Sequence, residues 1–166
     1  MTRPAPTQES SNTNPSPLPS PPVARIRAQI QGRAVARNLE LHFLKPGGFS
    51  TTTIHTGQQW DAPNGWPPLE WLTIEGVRRY GGTAIADSAR ARWLALNRRT
   101  YKATGRMTEK YDVEDLTRRA GGGEYATQDG FGWTNGVALA LSAQLRGTAR
   151  PPGSGSAVLR QDGRML

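Results

Sequence analysis

The residues best suited to chemistry in this 166-residue chain lie in two stretches that no packed helix or strand has an obvious use for. One is EKYDVEDLTRRAGGGEYATQDGFGWTNG, residues 109–136, which holds Glu109, three consecutive glycines, Glu124, and then Phe131 and Trp133 hemmed in by glycine. The other is LKPGGFSTTTIHTGQQWDAPNGWPP, residues 44–68, with Trp60, Asp61 and Trp66. Long loops of this kind in a compact domain are functional or disordered, and their aromatic content speaks against disorder. Aromatic faces beside carboxylates and amides suit a carbohydrate: a sugar offers an apolar C–H face to stack and a rim of hydroxyls to hydrogen-bond. Glycines let the backbone come close. On composition alone, tryptophans as core anchors and glycines as turns remain the competing reading.

Helices must position these loops, because little in the sequence alternates like a strand. The first helix is expected over 23–44, ending where Pro46 and the paired glycines of KPGG cannot continue it. In WPPLEWLTIEGVRRYGG the prolines suit a first helical turn and Gly81-Gly82 a stop. Its apolar Leu69, Trp71, Leu72, Ile74 and Val77 go most of the way round. A third helix, from Thr83 to about Tyr101, places Ile85, Ala89, Trp93 and Leu96 on one stripe. A last one opens after Thr134-Asn135, which can cap it, and carries Val137, Leu139 and Leu141 to a stop at Gly147.

Residues 1–22 contain seven prolines among polar residues and are expected to form a disordered tail, as are residues 147–166. A folded segment over about 23–146 remains. The chain has no cysteine and only His42 and His55, so neither a disulfide framework nor a metal site is expected. No apolar run approaches membrane-spanning length and no secretory signal is visible, which makes a cytoplasmic location the default, or a periplasmic one if the true N-terminus lies upstream. The formal charge of +8 raises nucleic acid as a partner. Its arginine pairs, 78-79, 98-99 and 118-119, are spread over separate elements without a nucleic-acid motif, and the expectation is no nucleic acid and no membrane.

GQQWDAPNGWPP (57–68) and GGGEYATQDGFGWTNGV (121–137) closely resemble two signature stretches of the trehalases of glycoside hydrolase family 37. LKPGGFSTTT and MTEKYDV resemble trehalase sequence in the same order, so the likeness covers roughly residues 30–143. The resemblance implies an all-α fold, the C-terminal portion of an (α/α)6 barrel with long functional loops. It also implies inverting hydrolysis of α,α-trehalose to two glucose molecules, without a cofactor. By the same resemblance Glu109 is the general base, Glu124 contacts the sugar, and Trp60, Asp61 and Trp66 lie near the substrate. Asp129, Phe131 and Trp133 match the motif too, with direct sugar contact and shaping of the pocket wall both left open.

Elementary chemistry agrees on what Glu109 would need. An inverting glycosidase uses two carboxyl groups roughly 6.5–9.5 Å apart, one protonating the departing oxygen and the other activating water. A positive charge such as Lys110 beside Glu109 favours the ionised form. The family's general acid, an aspartate in a Gly-Trp-Asp context, has no counterpart among these 166 residues. Two expectations follow: a trehalase segment carrying the base but inactive alone, or a non-catalytic remnant that binds sugar weakly or pairs with a complementary fragment. Helix faces around Leu69, Trp71, Ile74 and Trp93 that could not all be covered also imply self-association or a molten, dye-binding state.

Overall fold

The computed structural model describes residues 21–148. The expected tails fall outside it except at their inner edges, where Pro21 opens the first helix and Thr148 closes the last. Four helices carry the unit: α1 (Pro21–Asn38), α2 (Pro67–Arg79), α3 (Thr83–Thr104) and α4 (Gly132–Thr148). A single π-helical turn, Leu39–Phe43, extends α1 to the point where the expected first helix ends. Two minimal antiparallel ladders lie between the helices. β1 (Leu44–Lys45) pairs with β2 (Gly48–Phe49), and β3 (Asn64–Gly65) with β4 (Tyr111–Asp112).

The second ladder ties the two chemistry-bearing loops together, with Asn64 opposite Asp112 and Gly65 opposite Tyr111. Val113 continues the link: its N–H donates to the Pro63 carbonyl at 2.9 Å, and its own carbonyl accepts from Gly47 at 2.8 Å. The backbones run so close that a Cβ on Gly65 would lie 2.8 Å from the Phe49 carbonyl oxygen. A two-residue strand has no stability of its own. These are held because Phe49, Tyr111 and Val113 are buried in one cluster with the helices.

That cluster is built from Ile74 and Val77 of α2, Ala86, Ala89, Trp93, Leu94 and Leu96 of α3, and Leu141 of α4. Trp93 is fully buried and meets Tyr111 edge-on, ring centroids 5.1 Å apart. Pro67 and Pro68 fill the first positions of α2 as their fixed φ suits. α3 runs three residues beyond its expected end, to Thr104, and is capped by Gly105, whose φ of 70° is the left-handed conformation glycine adopts freely. The start of α4 departs from expectation as well. Thr134 and Asn135 lie inside the helix, and the buried Thr134 hydroxyl donates to the Thr108 carbonyl at 3.1 Å, so it pins the loop to the helix rather than capping it.

The apolar surfaces also sort differently. Ile74 and Trp93, expected among faces left uncovered, are interior, and Trp71 packs against the core. Leu69 stays exposed, along with Leu72 of α2, Leu139 of α4 and Val23, Ile26 and Ile30 along α1.

The inward stripe of α2 reads Pro67, Glu70, Ile74, Val77, which puts a carboxyl group at a core position. Glu70 accepts the Phe49 N–H on Oε1 and, among the described residues, has no hydrogen-bond partner for Oε2. Burial raises its pKa well above the model-peptide value of 4.5. A folded-state pKa above the unfolded one means the native state holds the extra proton, so stability falls as pH rises from about 4.5 toward the folded value. The slope in that window reaches up to about 1.4 kcal/mol per pH unit. Glu70→Gln, which keeps the acceptor for Phe49 and cannot ionise, flattens the decline and leaves the variant more stable than its parent at pH 8. Urea unfolding at pH 5 and pH 8 measures both, and parallel pH slopes in the two proteins would refute the assignment.

Candidate active site

Glu109 is fully buried at the base of the 105–131 loop, with Lys110, equally buried, beside it. The chain there is fixed from three directions: Glu109 N–H donates to the Gln128 carbonyl at 3.2 Å, Thr108 bridges to Asp129, and Gly130 N–H donates to the Met107 carbonyl. The carboxylate is held just as closely. Oε1 accepts from Lys110 Nζ at 2.7 Å and from the Gln128 backbone N–H at 3.1 Å. Among the described residues Oε2 accepts only the Tyr125 hydroxyl, at 3.4 Å. The Lys110 ammonium lies 5.3 Å from the Trp66 ring centroid and 5.2 Å from that of Tyr125, within range of cation–π attraction on both.

Trp66 links this pair to the surface. It is buried, its indole N–H donates to the Gln59 carbonyl at 2.9 Å, and Trp60 stacks on it with centroids 3.9 Å apart and planes 8° from parallel. Trp60 is 45% exposed, so the stack ends in an aromatic group open to solvent. Trp133 meets Trp66 edge-on at 5.9 Å and Phe131 meets Trp133 at 5.3 Å; both are substantially exposed. The result is an aromatic platform directly above a dry ion pair.

The glycine triplet straps the two loops together. Gly123 N–H donates to the Gly57 carbonyl at 2.9 Å, and the Asn64 amide donates to the Gly121 carbonyl at 2.9 Å. Gly122 has φ 84°, and a Cβ there would sit 2.5 Å from the Gly57 carbonyl oxygen, so only glycine fits. The strap presents Glu124, which is exposed and has no hydrogen-bond or ionic partner among the described residues.

Of the residues singled out in the sequence, Glu109, Trp60 and Trp66 therefore come together in one cluster, and Glu124 follows on the strap that also carries Tyr125. Asp61 is engaged locally: its carboxylate takes the Thr52 hydroxyl at 3.3 Å and the Thr56 hydroxyl, which organises the 52–61 turn. Asp129 forms a surface pair with Arg106 at 2.8 Å. Of the two neighbours invoked for Glu109, Lys110 is the partner, whereas Tyr111 points into the core and its hydroxyl accepts from Thr108 N–H. Sequence reasoning passed over Tyr125 and Gln128, whose polar groups reach Glu109 only because the strap folds back. Among the described residues no cluster could hold a metal ion, and no helix is long and apolar enough to cross a membrane.

The sequence profile of the trehalase family matches residues 1–145. Curated relatives include the periplasmic trehalase of Citrobacter koseri, 48% identical over 118 residues, and that of Salmonella paratyphi B, 47% identical over the same length. Each match covers 70% of this chain and 21% of the relative, so the aligned part spans about a fifth of those proteins. Among solved structures, the neutral trehalase of Saccharomyces cerevisiae superposes with a TM-score of 0.52 at 24% identity, over 75% of this chain and 24% of that one. The fold is accordingly all-α, the C-terminal portion of an (α/α)6 barrel. Relatives named as periplasmic give no support to the cytoplasmic default.

Burial and, next, the nearby Glu109 charge raise the Tyr125 phenol above its ordinary 10.0. In ultraviolet titration, the difference between the parent and Tyr125→Phe should show a phenolate that appears late. Glu109→Gln should bring it back toward the ordinary range; a titration indifferent to Glu109 would contradict the contact.

Proposed function

The chain belongs to the trehalase family, and from that premise we propose that this segment supplies the general-base side of an inverting trehalose hydrolase, with Glu109 as the base. The observation that carries the reading is a buried carboxylate with one oxygen saturated by donors and the other nearly free, beneath an exposed aromatic platform.

In the reaction so read, Glu109 takes a proton from water as the water oxygen bonds to the anomeric carbon. The glycosidic C–O bond breaks on the opposite face, and a carboxylic acid protonates the departing glucose oxygen. No Gly-Trp-Asp occurs in these 166 residues, so the reading assigns that acid to sequence outside them. Glu124 on the strap serves as a hydroxyl-binding carboxylate, Trp60 and Trp66 as the stacking surface, and Asp61 as the organiser of their loop. The relatives' periplasmic location is extended to this protein on the same basis.

A second reading, a remnant that associates without catalysis, draws on the exposed Val23, Ile26, Ile30, Leu72 and Leu139, which leave apolar faces for a complementary fragment or a second copy.

The 166-residue polypeptide alone is expected to release little glucose from trehalose. General acid assistance is worth about 10²–10⁴-fold, and loss of the remaining pocket wall removes positioning as well. A chimera in which this chain replaces the matching fifth of the Citrobacter koseri relative should be active. There Glu109→Gln should lower kcat by at least about 10²-fold with little change in KM, since the amide keeps the shape and cannot accept a proton. A glucose-release assay decides: strong release by the isolated chain, abolished by Glu109→Gln, would show a complete site within it. Near-normal turnover of the substituted chimera would move the base elsewhere, with Glu124 next.

A further inference from the structure

Lys110 is unusual in what surrounds it. A lysine is rarely buried without a built environment, because desolvating an ammonium is costly unless charge and dipoles replace the water. Here its side chain is fully enclosed, its one ionic partner is Glu109 Oε1 at 2.7 Å, and its other sides face the rings of Trp66 and Tyr125. Among the described residues no second carboxylate bonds to it.

The arrangement does more than neutralise Glu109. A carboxylate can accept about four hydrogen bonds, shared by two equivalent oxygens. Lys110 and the Gln128 N–H both go to Oε1, which fixes the rotation of the group, and Oε2 is left with one long contact, 3.4 Å from the half-exposed Tyr125. A flexible lysine in water could not hold such an asymmetry. Clamped between two rings, one of them anchored through its indole N–H to Gln59, it has little room to move.

We propose that Lys110 is the positioning residue of this site: its ammonium, held between Trp66 and Tyr125, pins Oε1 of Glu109 and so dedicates Oε2 to taking the proton from water. The inference rests on the reading of Glu109 as general base. It makes Lys110 a determinant of kcat that never touches substrate, and makes Trp66 serve two purposes, a stacking floor for Trp60 on the pocket side and a lid over the ammonium.

The test has two arms. In the 166-residue chain, the ring currents of Trp66 and Tyr125 should move the Lys110 ε-methylene protons well upfield of ordinary lysine, and Tyr125→Leu should remove a large part of that displacement. An ε-methylene at the ordinary lysine position overturns the inference outright. In the chimera, Lys110→Met should lower kcat by about 10²-fold, as expected for a misplaced catalytic group, with KM within about threefold. Because this chain contains no cysteine, Lys110→Cys in a cysteine-free background places a single thiol there. Aminoethylation of that thiol rebuilds an ammonium of nearly lysine length, and kcat should recover. Unchanged kcat in Lys110→Met, or a folded aminoethylated protein that stays impaired, contradicts the positioning role while Glu109→Gln remains inactive. If Glu109→Gln itself keeps turnover, the base reading fails first and the Lys110 inference falls with it.

Discussion

A buried salt bridge between neighbouring residues, Glu109 and Lys110, sets the terms for everything around it. Removing two charges from water costs several kcal/mol each, and their mutual attraction offsets this only where geometry is good and the remaining polar capacity is met. The fold meets it with the Gln128 N–H on the carboxylate and two aromatic faces on the ammonium. Those groups come from three places in the sequence, so the pair can form only if the loops before α2 and before α4 are locked together. The β3–β4 ladder, the Val113 hydrogen bonds and the glycine strap perform that locking. The helices in turn bury Phe49, Tyr111 and Val113 and give the ladder a foundation.

From this dependence comes the layered character of the site. The lowest layer is the helical core, with Trp93 against Tyr111; the next is the dry ion pair; above it lie Trp66 and then Trp60, half open to solvent. Each layer restricts the one above. The orientation of the Glu109 carboxylate is decided by protein contacts alone, which is how preorganised sites avoid reorganisation during reaction.

Much of the helical frame could be read directly in the chain, because proline and glycine act locally: Pro67-Pro68 open α2 and Gly81-Gly82 close it. The start of α4 could not, since Thr134 is used by Thr108 across the loop, a contact between residues 26 apart. The same limit applies in the site. Trp60 and Trp66 look alike in the sequence, and only the ladder decides that one is buried and the other open. Glu70 was not singled out in the sequence, and its interior place goes with accepting the Phe49 N–H from 21 residues away. Lys110 was legible as a helpful nearby charge; that it is enclosed by two rings depends on Tyr125, which reaches it through a reversal at Gly122 and Gly123 that motif spacing does not reveal. Residues whose roles are set by local backbone preference were visible, and those set by long-range return of a loop were not.

The central claim is that Glu109 Oε2 activates water for attack on the face opposite the departing sugar. The anomeric form of the first glucose released from α,α-trehalose tests it most directly, read by proton NMR on the active chimera before mutarotation. Attack by water with inversion yields α-glucose from the departing half and β-glucose from the attacked half, so the two anomers should appear in equal amounts. Release of α-glucose alone would mean retention through a covalent intermediate, and would contradict Glu109 as a base acting on water.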